Sequence, residues 1–135
     1  MYKHEVKMMV RYAETDQMGY VYYGNYATYF EVARVEALRS LGFRYRNLEE
    51  QGILMPVREL NTRFIQPAKY DDLLTIKVSI REMPDVKIIF DYEVYNEEGA
   101  RLSTGNTTLV FVNDESNKLV RCPRPLAILL ENYYS

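Results

Sequence analysis

Hydrophobic and polar residues alternate with a period of two along several stretches of the chain. This pattern is typical of a strand that is buried on one face. A short example lies near the start, where Val6, Met8 and Val10 are the apolar positions. Longer examples cover residues 74–80, 86–94 and 102–113. The two links between them contain Pro84 and the sequence "NEEG", which favour turns, so we expect three consecutive antiparallel strands.

One segment has the period of a helix instead. Its apolar side chains recur at steps of three and four residues, at Tyr26, Tyr29, Phe30, Ala33, Ala37, Leu38 and Leu41. Charged residues occupy the opposite side, so the segment predicts one long amphipathic helix. Asn25 is predicted to cap its start, and Gly42 to end it in the left-handed conformation.

Two further segments are less regular. Residues 54–65 predict a strand that bends or breaks at Pro56, which cannot donate a hydrogen bond to a neighbouring strand. A short last helix is expected after Pro125. We therefore predict a single α+β domain over residues 1–135, with an antiparallel sheet of about five strands wrapped around one long helix.

The length of the chain favours assembly into an oligomer. A domain of 135 residues is small for enclosing a deep ligand cavity alone. A sheet of this size also leaves edge strands that natural proteins cover or pair. Both considerations favour a homodimer that is joined through a sheet edge.

Composition excludes several classes of protein. Hydrophobic residues make up 47% and charged residues 27%, which is typical of a globular protein. A net charge of -2 and a pI near 5.5 provide no basic field for nucleic acid. No apolar run is long enough to span a membrane, and the first ten residues do not resemble a signal peptide. We therefore expect a cytoplasmic protein with no nucleic-acid partner and no membrane span.

The chain contains one histidine and one cysteine, His4 and Cys122. Ser-His-Asp, Cys-His and histidine-ligated metal sites therefore lack a required residue near the centre of the chain. The glycine loops that hold nucleotides are also absent from the sequence. We expect no metal and no cofactor.

Candidate chemistry is concentrated in residues 12–26, "YAETDQMGYVYYGNY", just before the predicted helix. The N-terminus of a helix offers unpaired N–H groups and the positive end of a dipole, which suit a developing oxyanion. Asp16 precedes this end and could supply a nucleophile or a base, although Asp followed by Gly19 also suits a simple turn. Glu14 is more typical of a solvated or ion-paired residue than of a second catalytic acid.

This stretch, followed by "ATYFEVAR", resembles the hot-dog-fold acyl-CoA thioesterases of the 4-hydroxybenzoyl-CoA thioesterase family. The later segment "QPAKYDDLLTI" is similar to that family's second recurring segment, and the resemblance extends from about Val6 to Val112. It implies the hot-dog fold and hydrolysis of an acyl-CoA to a free acid and CoA. It also implies a homodimer and, as in many relatives, a homotetramer.

The resemblance assigns the catalytic carboxylate to Asp16 and the thioester-polarising backbone N–H to the region of Tyr23. Many relatives carry histidine at the position of Tyr23, but a backbone N–H does not depend on its side chain. Asp16 could attack directly to give a mixed anhydride or could activate water, and the sequence leaves both routes open.

The remaining candidates concern substrate binding. Four of them lie in the same stretch, namely Gly19, Tyr22, Asn25 and Tyr26. Cations for the CoA phosphates are sought among Arg58, Lys69, Lys87, Arg121 and Arg124. Two alternative functions stay open: a hot-dog hydratase or dehydratase, which would pair a histidine with an acid, and a non-catalytic domain that binds acyl-CoA or acyl-carrier protein.

Overall fold

Seven strands and three α-helices form the protein in a computed structural model that describes residues 1–135. The strands are β1 (Tyr2–Met9), β2 (Ile53–Leu54), β3 (Val57–Phe64), β4 (Leu73–Ile80), β5 (Lys87–Tyr95), β6 (Arg101–Asn113) and β7 (Leu119–Val120). The helices are α1 (Asn25–Ser40), α2 (Tyr45–Glu50) and α3 (Arg124–Leu130). Two 3₁₀ turns complete the chain, at Tyr12–Glu14 and Glu131–Tyr133.

All strand pairs are antiparallel. Strands β1, β4, β5 and β6 follow one another across the sheet, and β3 pairs with the far side of β6. The two-residue strands β2 and β7 also pair with β6. The prediction of about five strands is confirmed for the five long ones, and the predicted consecutive pairing of β4, β5 and β6 is confirmed as well.

One face of the sheet packs on helix α1. Alternate residues of the two central strands are buried, at Leu74, Ile76, Val78, Ile80, Ile88, Phe90, Tyr92 and Val94. The helix buries Tyr26, Tyr29, Phe30, Ala33, Arg34, Ala37 and Leu38. Each large apolar side chain removed from water contributes about 1.5–3 kcal/mol, so this interface is the main source of stability.

Helix α1 contacts strands across the whole width of the sheet. It packs on β1 and β4, and the ring of Phe30 stacks on Tyr92 of β5 at 4.2 Å between centroids. Phe30 also lies against Gly105 of β6, and the ring of Tyr26 contacts that of Phe64 of β3 at 5.0 Å. The predicted arrangement of a sheet around one long helix is confirmed.

The two ends of α1 differ in how well they were predicted. Gly42 has a φ of 87° and donates its N–H to the carbonyl of Arg39, which confirms it as the residue that ends the helix. The prediction that Asn25 caps the start is wrong, because Gly24 occupies the cap and no side chain caps the helix. The side-chain amide of Asn25 instead donates to the carbonyl oxygen of Glu14 at 2.8 Å.

The irregular strand at residues 54–65 is broken where proline predicted it. Strand β2 ends before Pro56 and β3 begins after it, with a further register shift between Val57 and Glu59. The expected last helix, α3, is present, but it begins at Arg124, one residue before Pro125, and contains that proline in its first turn. No helix has the length and apolar character that crossing a membrane requires.

Candidate active site

Asp16 lies in a tight hairpin between the first 3₁₀ turn and helix α1. Thr15 pairs with Val21 across this hairpin, and the N–H of Asp16 donates to the carbonyl of Tyr20 at 2.8 Å. At the tip, the N–H of Gly19 donates to the carbonyl of Asp16 at 3.0 Å. Gly19 has a φ of 77°, a left-handed conformation that favours glycine at this turn. The hairpin fixes the backbone that carries the candidate carboxylate.

The two carboxylate oxygens of Asp16 have different surroundings. Oδ1 accepts the backbone N–H groups of Met18 at 2.9 Å and Tyr20 at 3.2 Å. Oδ2 forms no hydrogen bond within the chain, and the residue is partly exposed. The turn-forming and chemical interpretations of Asp16 are therefore compatible, because the turn uses only one oxygen.

The hairpin packs against the second motif segment, "QPAKYDD". The N–H of Val21 donates to the carbonyl of Ala68 at 2.8 Å, and Tyr20 forms a β-bridge with Lys69. The rings of Tyr12 and Tyr70 meet edge to face at 5.6 Å between centroids. Two segments that are far apart in sequence thus form one structural unit.

The start of α1 follows directly after the hairpin. Neither Tyr23 nor Gly24 donates its backbone N–H to an acceptor within the chain. Helix N-termini present such groups together with a positive dipole end, and both stabilise a nearby negative charge. The hairpin and the helix start thus supply one free carboxylate oxygen and two free N–H donors within nine residues of chain, 16–24.

Glu14 is held in place by four hydrogen bonds to its carboxylate. Oε1 accepts the backbone N–H of Arg11 at 2.9 Å and the hydroxyl of Tyr29 at 3.0 Å. Oε2 accepts Nε and Nη2 of Arg11 at 3.2 and 2.8 Å. Burial opposes ionisation, but these hydrogen bonds and the charge of Arg11 together lower the pKa of Glu14. Glu14 is therefore an ion-paired residue, one of the two interpretations favoured from the sequence.

The tyrosines of the stretch fall into two groups. Tyr26 and Tyr29 are buried, and burial raises the pKa of both hydroxyls. Tyr22 and Tyr23 are 47% and 67% exposed, with ring centroids 4.7 Å apart. The ring of Tyr22 also lies over Gly24, where a Cβ would be 2.7 Å from it. Within one chain, this exposed pair beside the helix start is open to contact with a substrate.

The candidate cations are dispersed. Lys69 lies beside the hairpin through its bridge to Tyr20. Ser103 marks the end of β6 that lies nearest the hairpin, because it pairs with the last residue of β3. Lys87 instead pairs with Val110, at the other end of β6. These two positions on β6 are roughly 23 Å apart at about 3.3 Å per residue. Lys87 is therefore far from Asp16 in the same chain.

The other three candidates also lie away from the hairpin. Arg58 is next to Val57, which pairs with Leu109 at the same end of β6 as Lys87. Arg121 forms an exposed ion pair with Asp85 at 3.6 Å between Nε and Oδ1. Arg124 begins helix α3. A single chain thus brings only Lys69 next to Asp16.

The largest cavity does not contain the candidate site. Its volume is about 740 Å³, and polar residues of the sheet line it, among them Lys3, Lys77, Asp91 and Arg101. Asp16 lines none of the five principal cavities. The tip of its hairpin, residues 17–19, is exposed, so the hairpin is an open surface in one protomer. The chain also brings together no group of three or more His, Cys, Asp or Glu residues that could hold a metal ion.

Comparison with known proteins identifies the family of the chain. Residues 18–103 match the thioesterase superfamily. YneP of Bacillus subtilis is 33% identical over 121 residues, which cover 90% of this chain and 88% of YneP. The acyl-CoA thioester hydrolase YbgC of Escherichia coli is 29% identical, with 87% of each chain covered.

A solved structure is similar over nearly the whole chain. The DHNA-CoA thioesterase of Staphylococcus aureus is 35% identical and has a TM-score of 0.85, covering 99% of this chain and 85% of its own. The matched region includes both motif segments, the helix and all five long strands. The chain therefore belongs to the thioesterase superfamily, with the hot-dog fold.

Proposed function

We propose that the protein hydrolyses the thioester bond of an acyl-CoA, with Asp16 as the catalytic carboxylate. The observation that carries this proposal is the free Oδ2 of Asp16, held on a rigid hairpin immediately before a helix start with unpaired N–H groups. The relatives named for acyl-CoA hydrolysis support the choice of reaction. The product is a free acid, and the leaving group is CoA.

The backbone at the start of α1 stabilises the transition state. The thioester oxygen accepts N–H groups from the region of Tyr23 and Gly24, where the helix dipole also favours negative charge. Donors of this kind are already oriented, so they require no reorganisation as the charge develops. The side chain of Tyr23 is not required, because its backbone N–H makes the contact with the thioester oxygen.

Asp16 provides the attacking oxygen by one of two routes. As a base, Oδ2 takes a proton from water while the water oxygen bonds to the carbonyl carbon; the C–S bond then breaks, and the proton passes to the CoA thiolate. As a nucleophile, Oδ2 bonds to the carbonyl carbon and displaces the CoA thiolate, and water then hydrolyses the mixed anhydride. Both routes need a charged and partly accessible carboxylate.

The active form is a dimer joined through β3. This edge strand exposes apolar side chains, with Val57, Leu60 and Phe64 each 46–52% exposed. Antiparallel pairing of two copies of β3 would bring the start of one strand next to the end of the other. Arg58 of the partner subunit would then lie near Phe64, at the end of the sheet that carries the hairpin. The second copy would thus supply cations for the CoA phosphates and would cover the hairpin, which one chain leaves exposed.

The two alternative functions receive less support. A hydratase or dehydratase would need a histidine beside the acid, but His4 lies on β1 and lines the polar cavity of the sheet. A binding domain without catalysis would have no use for an unpartnered carboxylate oxygen. Release of free thiol from acyl-CoA, followed with a colorimetric reagent, separates hydrolysis from both.

The variant Asp16→Asn tests the proposal directly. The amide oxygen of Asn can accept the same two N–H groups as Oδ1, so the hairpin is retained while the charge is lost. We expect kcat to fall by about 10²–10⁴, the usual contribution of a positioned base, with an unchanged circular dichroism spectrum. The assay uses a panel of aliphatic and aromatic acyl-CoA substrates.

Tyr23→Phe serves as the matched control, and its activity should stay within about threefold of the parent because only the backbone is used. A folded Asp16→Asn protein that retains activity within a few-fold of the parent would overturn the assignment. Mass spectrometry excludes deamidation of Asn back to Asp.

A further inference from the structure

Glu14 connects the Asp16 hairpin to helix α1 through both its backbone and its side chain. We infer that Glu14 is a positioning residue, which holds Asp16 in a fixed relation to the free N–H groups at the helix start. This inference rests on the proposed function, since it assigns a role in the same reaction. Glu14 does not itself contact the substrate in this scheme.

The backbone of Glu14 makes the first connection. Its carbonyl oxygen accepts the N–H of Tyr22 at 2.9 Å and the side-chain amide of Asn25 at 2.8 Å. Tyr22 is the residue after the hairpin, and Asn25 is the first residue of α1. One carbonyl group thus ties together the 3₁₀ turn before Asp16, the segment after the hairpin and the helix.

The side chain makes the second connection. Tyr29 is only 2% exposed, so its hydroxyl is a fixed point on the core side of α1. Its hydrogen bond to Oε1 anchors the carboxylate of Glu14 to that core, while Arg11 holds the other side of the carboxylate. Only 13% of the Glu14 side chain is exposed. The carboxylate is therefore a partly buried, fully hydrogen-bonded link rather than a freely solvated charge.

Such a link matters because hydrolysis depends on geometry. The attacking group and the oxyanion donors sit on different segments, the hairpin and the helix. A displacement of about 1 Å between reacting groups can cost about 10²-fold in rate. Asp16 is two residues from Glu14, so a displacement of Glu14 relative to α1 would also displace the backbone that carries the Asp16 carboxylate.

The test compares Glu14→Gln with Tyr29→Phe in the full-length protein. Glu14→Gln removes the charge that Arg11 and Tyr29 bind, and Tyr29→Phe removes one hydrogen bond from a ring that stays packed. We expect kcat to fall about 10-fold to 100-fold for Glu14→Gln and by a smaller factor for Tyr29→Phe. KM for acyl-CoA should change less than threefold in both, because substrate contacts remain.

Glu36→Gln is the matched control. Glu36 forms an ion pair with Arg39 at the same three-residue spacing as Arg11 and Glu14, but at the other end of α1. The kcat of Glu36→Gln should equal that of the parent. Hydrogen exchange provides a second readout: amides of residues 15–24 should exchange faster in Glu14→Gln, while those of β4–β6 should not.

Each outcome is decisive. If the parent protein releases no thiol from any acyl-CoA, the proposed function fails. If the parent is active and Glu14→Gln keeps kcat within twofold, or Glu36→Gln loses as much as Glu14→Gln, the positioning role fails while the function stands. Should Glu14→Gln not fold, an unchanged kcat in folded Tyr29→Phe would overturn the inference.

Discussion

A carboxylate has two oxygens, and in Asp16 they serve different purposes. The two N–H bonds to Oδ1 make the turn, while Oδ2 is left for a substrate or a water molecule. A residue that only formed a turn could be replaced by Asn at little cost. In the proposed mechanism only hydrolysis needs the charge on Asp16, so the effect of removing it separates the two roles.

The ionisation of Glu14 also predicts how stability depends on pH. Its pKa is lowered in the folded protein by hydrogen bonds from Arg11 and Tyr29 and by the charge of Arg11, which together outweigh burial. A lowered pKa stabilises the fold above the unfolded pKa of about 4.3, and this contribution is lost as pH falls through the folded pKa. We therefore expect Glu14→Gln to be less stable than the parent at pH 7, with a smaller difference near pH 3.

Urea unfolding at both pH values, at one protein concentration, measures this difference. Glu36→Gln is again the control, because Glu36 is more exposed and its ion pair should contribute little. A difference between parent and Glu14→Gln that grows on acidification would contradict the expected sign.

The sequence indicates the members of the site better than their partners. Asp16 is indicated by the family resemblance, and Gly19 is also recognisable because a hairpin is a local structure with its own turn chemistry. The bond from Tyr29 to Glu14 was missed, although a hydroxyl on a buried helical stripe needs a partner and could have suggested it. Lys87 could not be placed, because its distance from Asp16 depends on the register of β5 and β6.

At the scale of elements, the packing of α1 on β6 depends on one residue without a side chain. Gly105 has ordinary backbone angles, but a Cβ there would lie 2.7 Å from the carbonyl oxygen of Asn61 and 2.7 Å from the ring of Phe30. Backbone and a stacked ring cannot move aside easily. Phe30 can therefore contact both β5 and β6 only because position 105 is glycine.

We expect Gly105→Ala to lower the free energy of unfolding by about 1–3 kcal/mol, the usual cost of overpacking. Thr104→Ala is the control on the same strand, and it should change stability by about 0.5 kcal/mol or less, because Thr104 lines the open polar cavity. Urea unfolding at a fixed protein concentration makes the comparison. Equal stability of the two variants would show that the helix can shift away from the sheet at no cost.

Long elements were predictable from the sequence and short ones were not. Strands β4–β6 alternate over enough residues for the period to be clear, and α1 has four turns. Helix α2 has six residues and buries only Leu48, so it shows no period. The cap of α1 was misassigned because the side chain of Asn25 bonds to Glu14 in a separate segment, a contact that only the folded chain creates.

At the scale of the whole molecule, the two edges of the sheet are not equivalent. Residues of β1 alternate between exposed and half-buried positions, as at an ordinary edge. Seven of the eight residues of β3 are exposed, although several of them are apolar. An exposed apolar edge strand is a site for pairing with another chain. This asymmetry favours β3 over β1 as the dimer interface.

Leu60 lies near the middle of β3 and is 46% exposed. In a symmetric antiparallel pair, residues near the middle of the strand approach their own symmetry mates. Leu60→Lys would bring two positive charges together and remove apolar contact, so we expect a folded monomer at micromolar concentration. Sedimentation equilibrium measures the mass, and circular dichroism confirms the fold.

The control is Met9→Lys, at a residue that is 48% exposed on the opposite edge strand β1. It introduces the same charge and should remain dimeric and active. If the active site needs the second copy, thiol release by Leu60→Lys should fall at least about tenfold as the dimer is lost, because the remaining hairpin is an open surface. A parent protein that is an active monomer, or a Leu60→Lys monomer with full activity, would show that one chain is sufficient for hydrolysis.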